Sequence, residues 1–440
     1  LRCSRGSGDL IGRGDAVRAG RERLFCSRPA CTGTVDEDEV VLTRARMRRT
    51  PPDVLFTTTE MLNRQLSDTT NGHVFGIGPR ARRRPQLMLL DEVHTYEGTT
   101  GAQSAFVIRR WRHQVGRPVQ FVGLSATLRE AQSFFSQLIG LPEHAVADIT
   151  PVAADEISEG MEYLVAVRGD PVSGASLLST TIQTGMLLRR VLDRQGSGLY
   201  GRRLLMFPDD LDVTNRLYFD LLDAEGRDSW GRPNPQGNGP LAALRGSTMP
   251  EHGKRQPLGQ AWDLCEAIGH HLDGASSLQI GRTSSQDPGV AASSDVIVAT
   301  ASLDVGFNDP SVGAVLQHKA PRDSAQFLQR KGRAGRVRGM RPWTVVVLSD
   351  YGRDRLAYQG YDLLFDPQLD SKSLPTRNTY VLRIQAAYAL MDWLATKIPP
   401  ALRGSMWLDL AGPPAQHQPR SEHAPERQRP PLGWISPAGG

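Results

Sequence analysis

The sequence predicts an α/β protein of two parallel-sheet lobes, and three observations carry that expectation. Short continuous apolar runs recur, among them Leu87-Met88-Leu89-Leu90, Leu204-Leu205-Met206-Phe207 and Val296-Ile297-Val298-Ala299. Segments of helical character separate them, which is the pattern of buried parallel strands in βα units. The same rhythm restarts after about residue 160, so the 440 residues divide into two units.

The elements follow in order. Residues 1–50 are Arg- and Gly-rich, with one acidic run at 36–39. The first lobe is expected over 51–155, with strands at 53–57, 86–90 and 119–123 and helices at 60–66, 101–113 and 129–140. A basic loop, Arg80-Ala81-Arg82-Arg83-Arg84, precedes its second strand. The second lobe is expected over 156–360, with strands at 203–207, 295–299, 314–316 and 343–348 and helices at 212–224 and 324–336. Inside it, 226–257 is rich in Gly, Pro and Asn and reads as a structureless surface insertion. A helical extension over 361–411 and a Pro-, Gln- and Arg-rich tail over 412–440, expected to be disordered, complete the chain.

Composition narrows the function classes. At 39% hydrophobic, 22% charged and a net charge of +5, the chain is globular in composition. Five of its 52 Lys+Arg are Lys, leaving 47 Arg. No run of about 18 apolar residues occurs, so no membrane helix is expected. Nor does a signal peptide stand at the start. Four cysteines, at 3, 26, 31 and 265, are too few for a secreted disulfide scaffold and fit a reducing, cytoplasmic compartment. The chain begins with Leu1 rather than Met and reads as the inside of a longer protein. Mild basicity permits a nucleic-acid partner without requiring one.

Five segments carry chemistry. Leu89-Leu90-Asp91-Glu92-Val93-His94 is an apolar strand ending in paired carboxylates, which sets acid at the carboxyl edge of a sheet. In a nucleotide hydrolase the first would hold Mg²⁺ and the second would orient and deprotonate water. Taken alone, the pair equally suits the start of a helix, where acid favours the dipole. Ser125-Ala126-Thr127 lies 34 residues beyond Asp91 and offers two hydroxyls, either to couple sites or to cap the next helix. Phe56-Thr57-Thr58-Thr59-Glu60 sets hydroxyls at a helix start, where they hold a backbone phosphate or cap the helix. Residues 298–310, containing Thr300, Gly306, Asn308 and Asp309, run from a strand end into a polar loop. Most specific is Gln329-Arg330-Lys331-Gly332-Arg333-Ala334-Gly335-Arg336. On a helix, 329, 333 and 336 share one face, with two guanidiniums and an amide suited to triphosphate oxygens. Each glycine there costs about 1 kcal/mol of helix stability relative to Ala, which a merely solvated basic helix has no reason to accept.

In this order and spacing the five segments resemble the motifs of superfamily 2 helicases and translocases. Residues 57–62 are similar to motif Ib, 91–94 to the DExH form of Walker B, 125–127 to the SAT motif, 300–309 to motif V and 329–336 to motif VI. Thr95-Tyr96-Glu97-Gly98 and Gly101-Ala102-Gln103 further resemble the Lhr-like and MrfA-like helicases, and helicase subunits of phage-defence islands of the DISARM or Dpd type. The resemblance covers roughly 53–350. It implies two RecA-like lobes, the first incomplete, and ATP hydrolysis coupled to movement on nucleic acid, DNA favoured over RNA, in repair or defence alongside other subunits. Asp91 would hold Mg²⁺, Glu92 would be the general base and His94 would link nucleotide to strand. Arg333 and Arg336 would be the arginine fingers. Gln329, Ser125, Thr127, Gly306, Asn308 and Asp309 would line the nucleotide, and Thr57, Thr58, Thr59 and Thr300 the nucleic acid.

The sequence departs from that family in two places. No G-x-x-x-x-G-K-[ST] phosphate loop is present; only Lys372 precedes Ser or Thr, and Ser371 stands before it. The loop is expected upstream of Leu1, and these 440 residues alone are expected not to hydrolyse ATP. In motif V the family often has Asp where Asn308 stands, so either Asn308 or the adjacent Asp309 would face nucleotide. The alternative function is an ATPase-dead binding or scaffolding subunit derived from a helicase. Separately, Cys26 and Cys31 have C-x₄-C spacing, half of a zinc ribbon with Cys3 as a third ligand; unpaired thiols are the other reading.

Overall fold

The structure is a computed structural model that describes residues 3, 10–12, 22–36, 38–68, 70–126, 128–150, 152, 160–169, 172, 174–195, 198–234, 239–273, 276–283, 293–299, 309–366, 368–369 and 373–397. The site residues Thr127, Thr300, Gly306 and Asn308, and the expected tail, lie outside these. Contacts divide the chain into two units, 1–125 with 130–148 and 371–440, and 126–129 with 149–370.

The first unit opens with a small antiparallel ribbon, β1 (Leu10–Gly12), β2 (Leu24–Cys26) and β3 (Thr34–Val35). Two helices follow, α1 (Arg44–Arg49) and α2 (Thr59–Leu66). Then β4 (Leu87–Leu90) pairs in parallel with β5 (Gln120–Gly123), joined by α3 (Gly98–Val115) and followed by α4 (Ala131–Ile139). Leu62, Leu66, Phe75, Val107, Trp111 and Val115 form the core beneath them. Burial alternates along β4: Leu90 is buried, while Leu87 and Leu89 are exposed on the opposite face. The strand expected at 53–57 is not formed. Val54 and Phe56 are 71% and 93% exposed, and no described strand lies beside them to complete a ladder.

The second unit is a six-stranded, all-parallel sheet. Its strands are β6 (Tyr163–Arg168), β7 (Arg203–Phe207), β8 (Ile280–Thr283), β9 (Val296–Ala299), β10 (Val312–His318) and β11 (Trp343–Leu348), in the order β6-β11-β10-β7-β9-β8. Leu204, Met206, Val296, Val298, Ala314 and Leu316 pack on one face against α5 (Leu177–Val191) and α6 (Leu211–Ala224). Leu205, Phe207, Ile297, Ala299 and Val315 take the other face. The helices α7 (Ser324–Lys331) and α8 (Gly352–Gln359) follow β10 and β11. Both faces are apolar because each alternate residue meets a packed layer, which is why these strands read as unbroken apolar runs. The α/β class with parallel sheets in two units is therefore the observed one. The chain returns to the first unit with α9 (Thr379–Lys397), where Arg110 of α3 donates to Asp392 at 2.8 Å and Gln385 at 3.1 Å.

Two expectations of the second unit are corrected. The segment 226–257 is not structureless. It carries short helices at Leu241–Arg245 and His252–Arg255, and buried Arg227 donates to the carbonyls of Gly231, Ser277 and Leu278. Guanidinium donors met by backbone oxygens hold a Gly- and Pro-rich segment that no periodicity could reveal. The helix expected at 324–336 ends at Lys331.

The deepest charge pair joins α5 to the end of α6. Arg190 meets Glu225 with two bonds of 2.8 Å, both residues at 1% exposure or less. Removing one partner strands a buried charge, so Glu225→Ala should cost about 3–5 kcal/mol, whereas Arg190→Met with Glu225→Leu should recover most of it. Denaturant unfolding measures both; a single-variant loss under ~1 kcal/mol would count against this account.

Candidate functional site

In the first unit the site grows from the carboxyl end of β4. Asp91 follows the strand directly and its Oδ1 accepts the Glu92 N–H at 3.0 Å. Glu92 adopts a left-handed backbone, φ 50°, which an L-residue with a side chain rarely tolerates. Such strain persists only where the surroundings over-determine it, and here three bonds do. The Val93 N–H donates to Leu124 O at 2.8 Å, and the Thr95 N–H and hydroxyl donate to Glu92 O at 2.8 and 2.7 Å. The forced turn drives His94 inward, where it is buried, and leaves both carboxylates exposed. His94 then bridges two predicted site residues. Its Nε2 lies 3.5 Å from Glu92 Oε2, and its Nδ1 lies 3.3 Å from the Ser125 hydroxyl. Burial, and then the negative charge of Asp91, push the Tyr96 phenol up. Gly101 is required by close approach: a Cβ there would sit 2.6 Å from the Tyr96 carbonyl carbon.

Thr58 caps α2 through its hydroxyl, which accepts the Met61 N–H at 3.1 Å, while Thr57 is exposed and Thr59 half-buried at the first turn. The capping reading of these threonines is thus real for Thr58. Thr57 and Thr59 remain beside an eight-residue helix start.

In the second unit the segment 329–336 is not one helical face. Gln329 and Arg330 lie on α7, but Gly332 ends it, and Arg333 and Ala334 continue in tight turns, with N–H bonds of 3.0 and 3.2 Å to Arg330 O and Lys331 O. Gly335 takes φ +73°, and its N–H reaches Val312 O at 3.2 Å, at the amino end of β10. A Cβ on Gly335 would meet Pro342 Cγ at 2.6 Å. Gly335 therefore turns the chain after the helix through its left-handed backbone, and Arg333 is buried while Arg336 is exposed, its Nε donating to Gly332 O at 3.1 Å. Asp309 reaches the same amino end of β10. Burial raises its carboxyl, but the Ser311 hydroxyl and N–H, at 2.7 and 2.9 Å, and the Arg203 guanidinium outweigh it and hold it below the usual carboxylate range. Its oxygens are committed to that turn.

Sequence reasoning missed Arg330. It is 2% exposed and donates to Asp209 Oδ1 at 2.6 Å and Gln317 Oε1 at 2.9 Å, with its guanidinium 5.2 Å from the Phe207 ring centre. Asp209 and Gln317 stand at the carboxyl ends of β7 and β10, so Arg330 ties α7 to that edge of the sheet. The only signal was its position inside the strongest motif. Beside it, His318 is buried with Nδ1 2.7 Å from the Thr181 hydroxyl. Elsewhere, the sulfurs of Cys3, Cys26 and Cys31 converge in the N-terminal ribbon.

Comparison with known proteins agrees with the motifs. The helicase conserved C-terminal domain matches residues 271–338. The chain is 28% identical over 298 residues to the Lhr helicase/probable uracil glycosylase of Mycolicibacterium smegmatis, covering 66% of this chain and 18% of that protein. It is 26% identical over 300 residues to the Lhr helicase/uracil glycosylase of Escherichia coli, with the same coverage. The chain therefore spans under a fifth of the length of these relatives. A solved structure of the M. smegmatis helicase Lhr bound to ssDNA and AMP-PNP is similar with a TM-score of 0.49 and 19% identity, over 84% of this chain and 43% of that one. The Lhr-like superfamily 2 resemblance read from the motifs is borne out. Among the described residues no helix is long and apolar enough to cross a membrane.

The carboxyl edge of the second sheet makes a pH prediction. Burial first, then Lys319, push His318 from its ordinary 6.5 down to about 4, with Arg216 acting the same way and Asp354 and Asp209 opposing. Between those values the unfolded chain holds a proton that the folded chain does not, so stability rises with pH through the window. Acidification from pH 6.5 to 4 should cost on the order of 3 kcal/mol through this residue. His318→Gln, which keeps a partner for Thr181, should flatten that slope and change little above pH 7. A variant whose stability parallels the parent across the window would exclude His318 as its source.

Proposed function

We propose that the chain is the larger part of the motor core of an ATP-dependent helicase or translocase, acting on DNA in preference to RNA. The observation that carries this is the Glu92–His94–Ser125 bridge behind an exposed Asp91-Glu92 pair. An imidazole touching both a carboxylate at the sheet edge and a hydroxyl after the next strand is placed to pass a change at one to the other. The helicase relatives support the same reading.

Mg²⁺, when bound, would neutralise phosphate charge, and the exposed Asp91 carboxylate, a hard oxygen donor at a strand's carboxyl end, fits it. Glu92 orients the attacking water and takes its proton; its strained backbone and the His94 ring limit where that carboxylate can point. His94 shifts between Glu92 and Ser125 as charge at Glu92 changes. Arg333 and Arg336 bring positive charge to the transferring phosphoryl group, with Gln329 beside them on the motif, and Ser125, Thr127, Gly306 and Asn308 complete the nucleotide contacts. Asp309, held by Ser311 and Arg203, fixes the turn into β10 rather than contacting nucleotide. Thr57, Thr58, Thr59 and Thr300 contact the strand. The setting is cytoplasmic, in repair or defence with further subunits. Triphosphate binding of this kind needs a phosphate loop, which these 440 residues do not contain, so alone they turn over little ATP.

Two variants test this in a protein that includes such a loop. Glu92→Gln preserves shape but cannot accept a proton, so turnover should fall on the order of 10²-fold or more with ATP binding kept. Turnover within a few-fold of the parent removes Glu92 from the mechanism. Arg336→Ala should lower nucleic-acid-stimulated hydrolysis by roughly 10³-fold or more, and Arg336→Lys should rescue poorly, because an ammonium lacks the planar fork. If saturating single-stranded DNA restored the full rate of Arg336→Ala, the residue would be a phosphodiester contact instead. Nucleic-acid binding without hydrolysis in the parent would favour the scaffolding alternative.

A further inference from the structure

We infer that Cys3, Cys26 and Cys31 are the sulfur ligands of a zinc ion that staples the N-terminal ribbon. This inference is independent of the motor reading above. The three Sγ atoms lie within 4.8 Å of one another, although 28 residues separate Cys3 from Cys31. Zinc–sulfur bonds of about 2.3 Å at tetrahedral angles hold sulfurs about 3.8 Å apart. Cys3 and Cys31 stand at 3.8 Å, far beyond the roughly 2.0 Å of a disulfide.

The backbone around them has the shape such a site needs. The Cys31 N–H donates to Arg28 O and the Cys26 N–H to Gly33 O, both at 3.0 Å, closing a tight loop with the two sulfurs on one side. The Gly33 N–H donates to Cys31 Sγ at 3.4 Å, a bond that strengthens when sulfur carries charge. The C-x₄-C spacing falls in the range that zinc loops use.

The described part of the ribbon has only a small apolar core. Its strands contain three, three and two residues, and Leu24, Cys3 and Cys26 are the buried apolar residues among those described there, while Ile11 is 48% exposed. A sheet this small cannot stabilise itself by apolar burial and needs a staple. Three soft thiolates select zinc over magnesium or calcium. Among the described residues no fourth His, Cys, Asp or Glu joins the group, so the inference concerns three sulfur ligands.

The test uses the 440-residue chain expressed with zinc and purified without chelator. Elemental analysis should find one zinc per chain, and Cys3, Cys26 and Cys31 should resist alkylation until a chelator is added. Cobalt in place of zinc should give visible bands of a tetrahedral ion and a sulfur charge-transfer band scaled to three thiolates. Cys26→Ser with Cys31→Ser should lose the metal. Cys265→Ser should keep it, since Cys265 lies in the core of the second unit. Zinc near zero, zinc retained by the double variant, a cobalt spectrum without sulfur charge transfer, or a disulfide joining any two of the three would each overturn the inference.

Discussion

The guanidinium of Arg330 organises the functional half of the second unit. Buried between Asp209, Gln317 and the Phe207 ring, it joins the last turn of α7 to the carboxyl ends of two central strands. A charge so deep is tolerable only with its partners in place. Because α7 cannot rotate or slide without breaking that arrangement, the turns after it leave from a fixed point. The positions of Arg333, Gly335 and Arg336 all depend on this anchor, as does the closure of Gly335 onto β10.

The first unit uses backbone strain where the second uses a buried charge. A left-handed Glu92 would unwind if left alone, but the N–H bonds from Val93 to Leu124 and from Thr95 to Glu92 hold it. The consequence is a division of labour within four residues. Two carboxylates face solvent and one imidazole faces inward, toward the Ser125 hydroxyl. A relaxed helical start after β4 would have no reason to separate them so sharply.

Arginine content is a poor guide to partners in this protein. Arg189, Arg190, Arg227 and Arg330 are all buried and engaged with carboxylates or carbonyls. These four of the 47 arginines hold helices and loops to the sheet rather than forming a nucleic-acid surface. The guanidinium suits that task because its donors can satisfy several acceptors from one plane.

The sequence by itself determined the α/β class, the parallel strands at β4, β5, β7, β9, β10 and β11, and the helicase resemblance. Each rests on local signals, namely unbroken apolar runs and residues a few positions apart. It read residues 53–57 as a strand because an apolar run looks alike whether or not a neighbour completes its ladder. It read 324–336 as one helix because helical periodicity carries no information about where a left-handed glycine meets Pro342. The bridge from Glu92 through His94 to Ser125 spans residues more than thirty apart, and the anchor of Arg330 on Asp209 spans 121. The convergence of Cys3 on Cys26 and Cys31 is of the same kind. Only the tertiary structure decided these, because pairings between distant residues are set by how the strands and turns pack, which no short window of sequence contains.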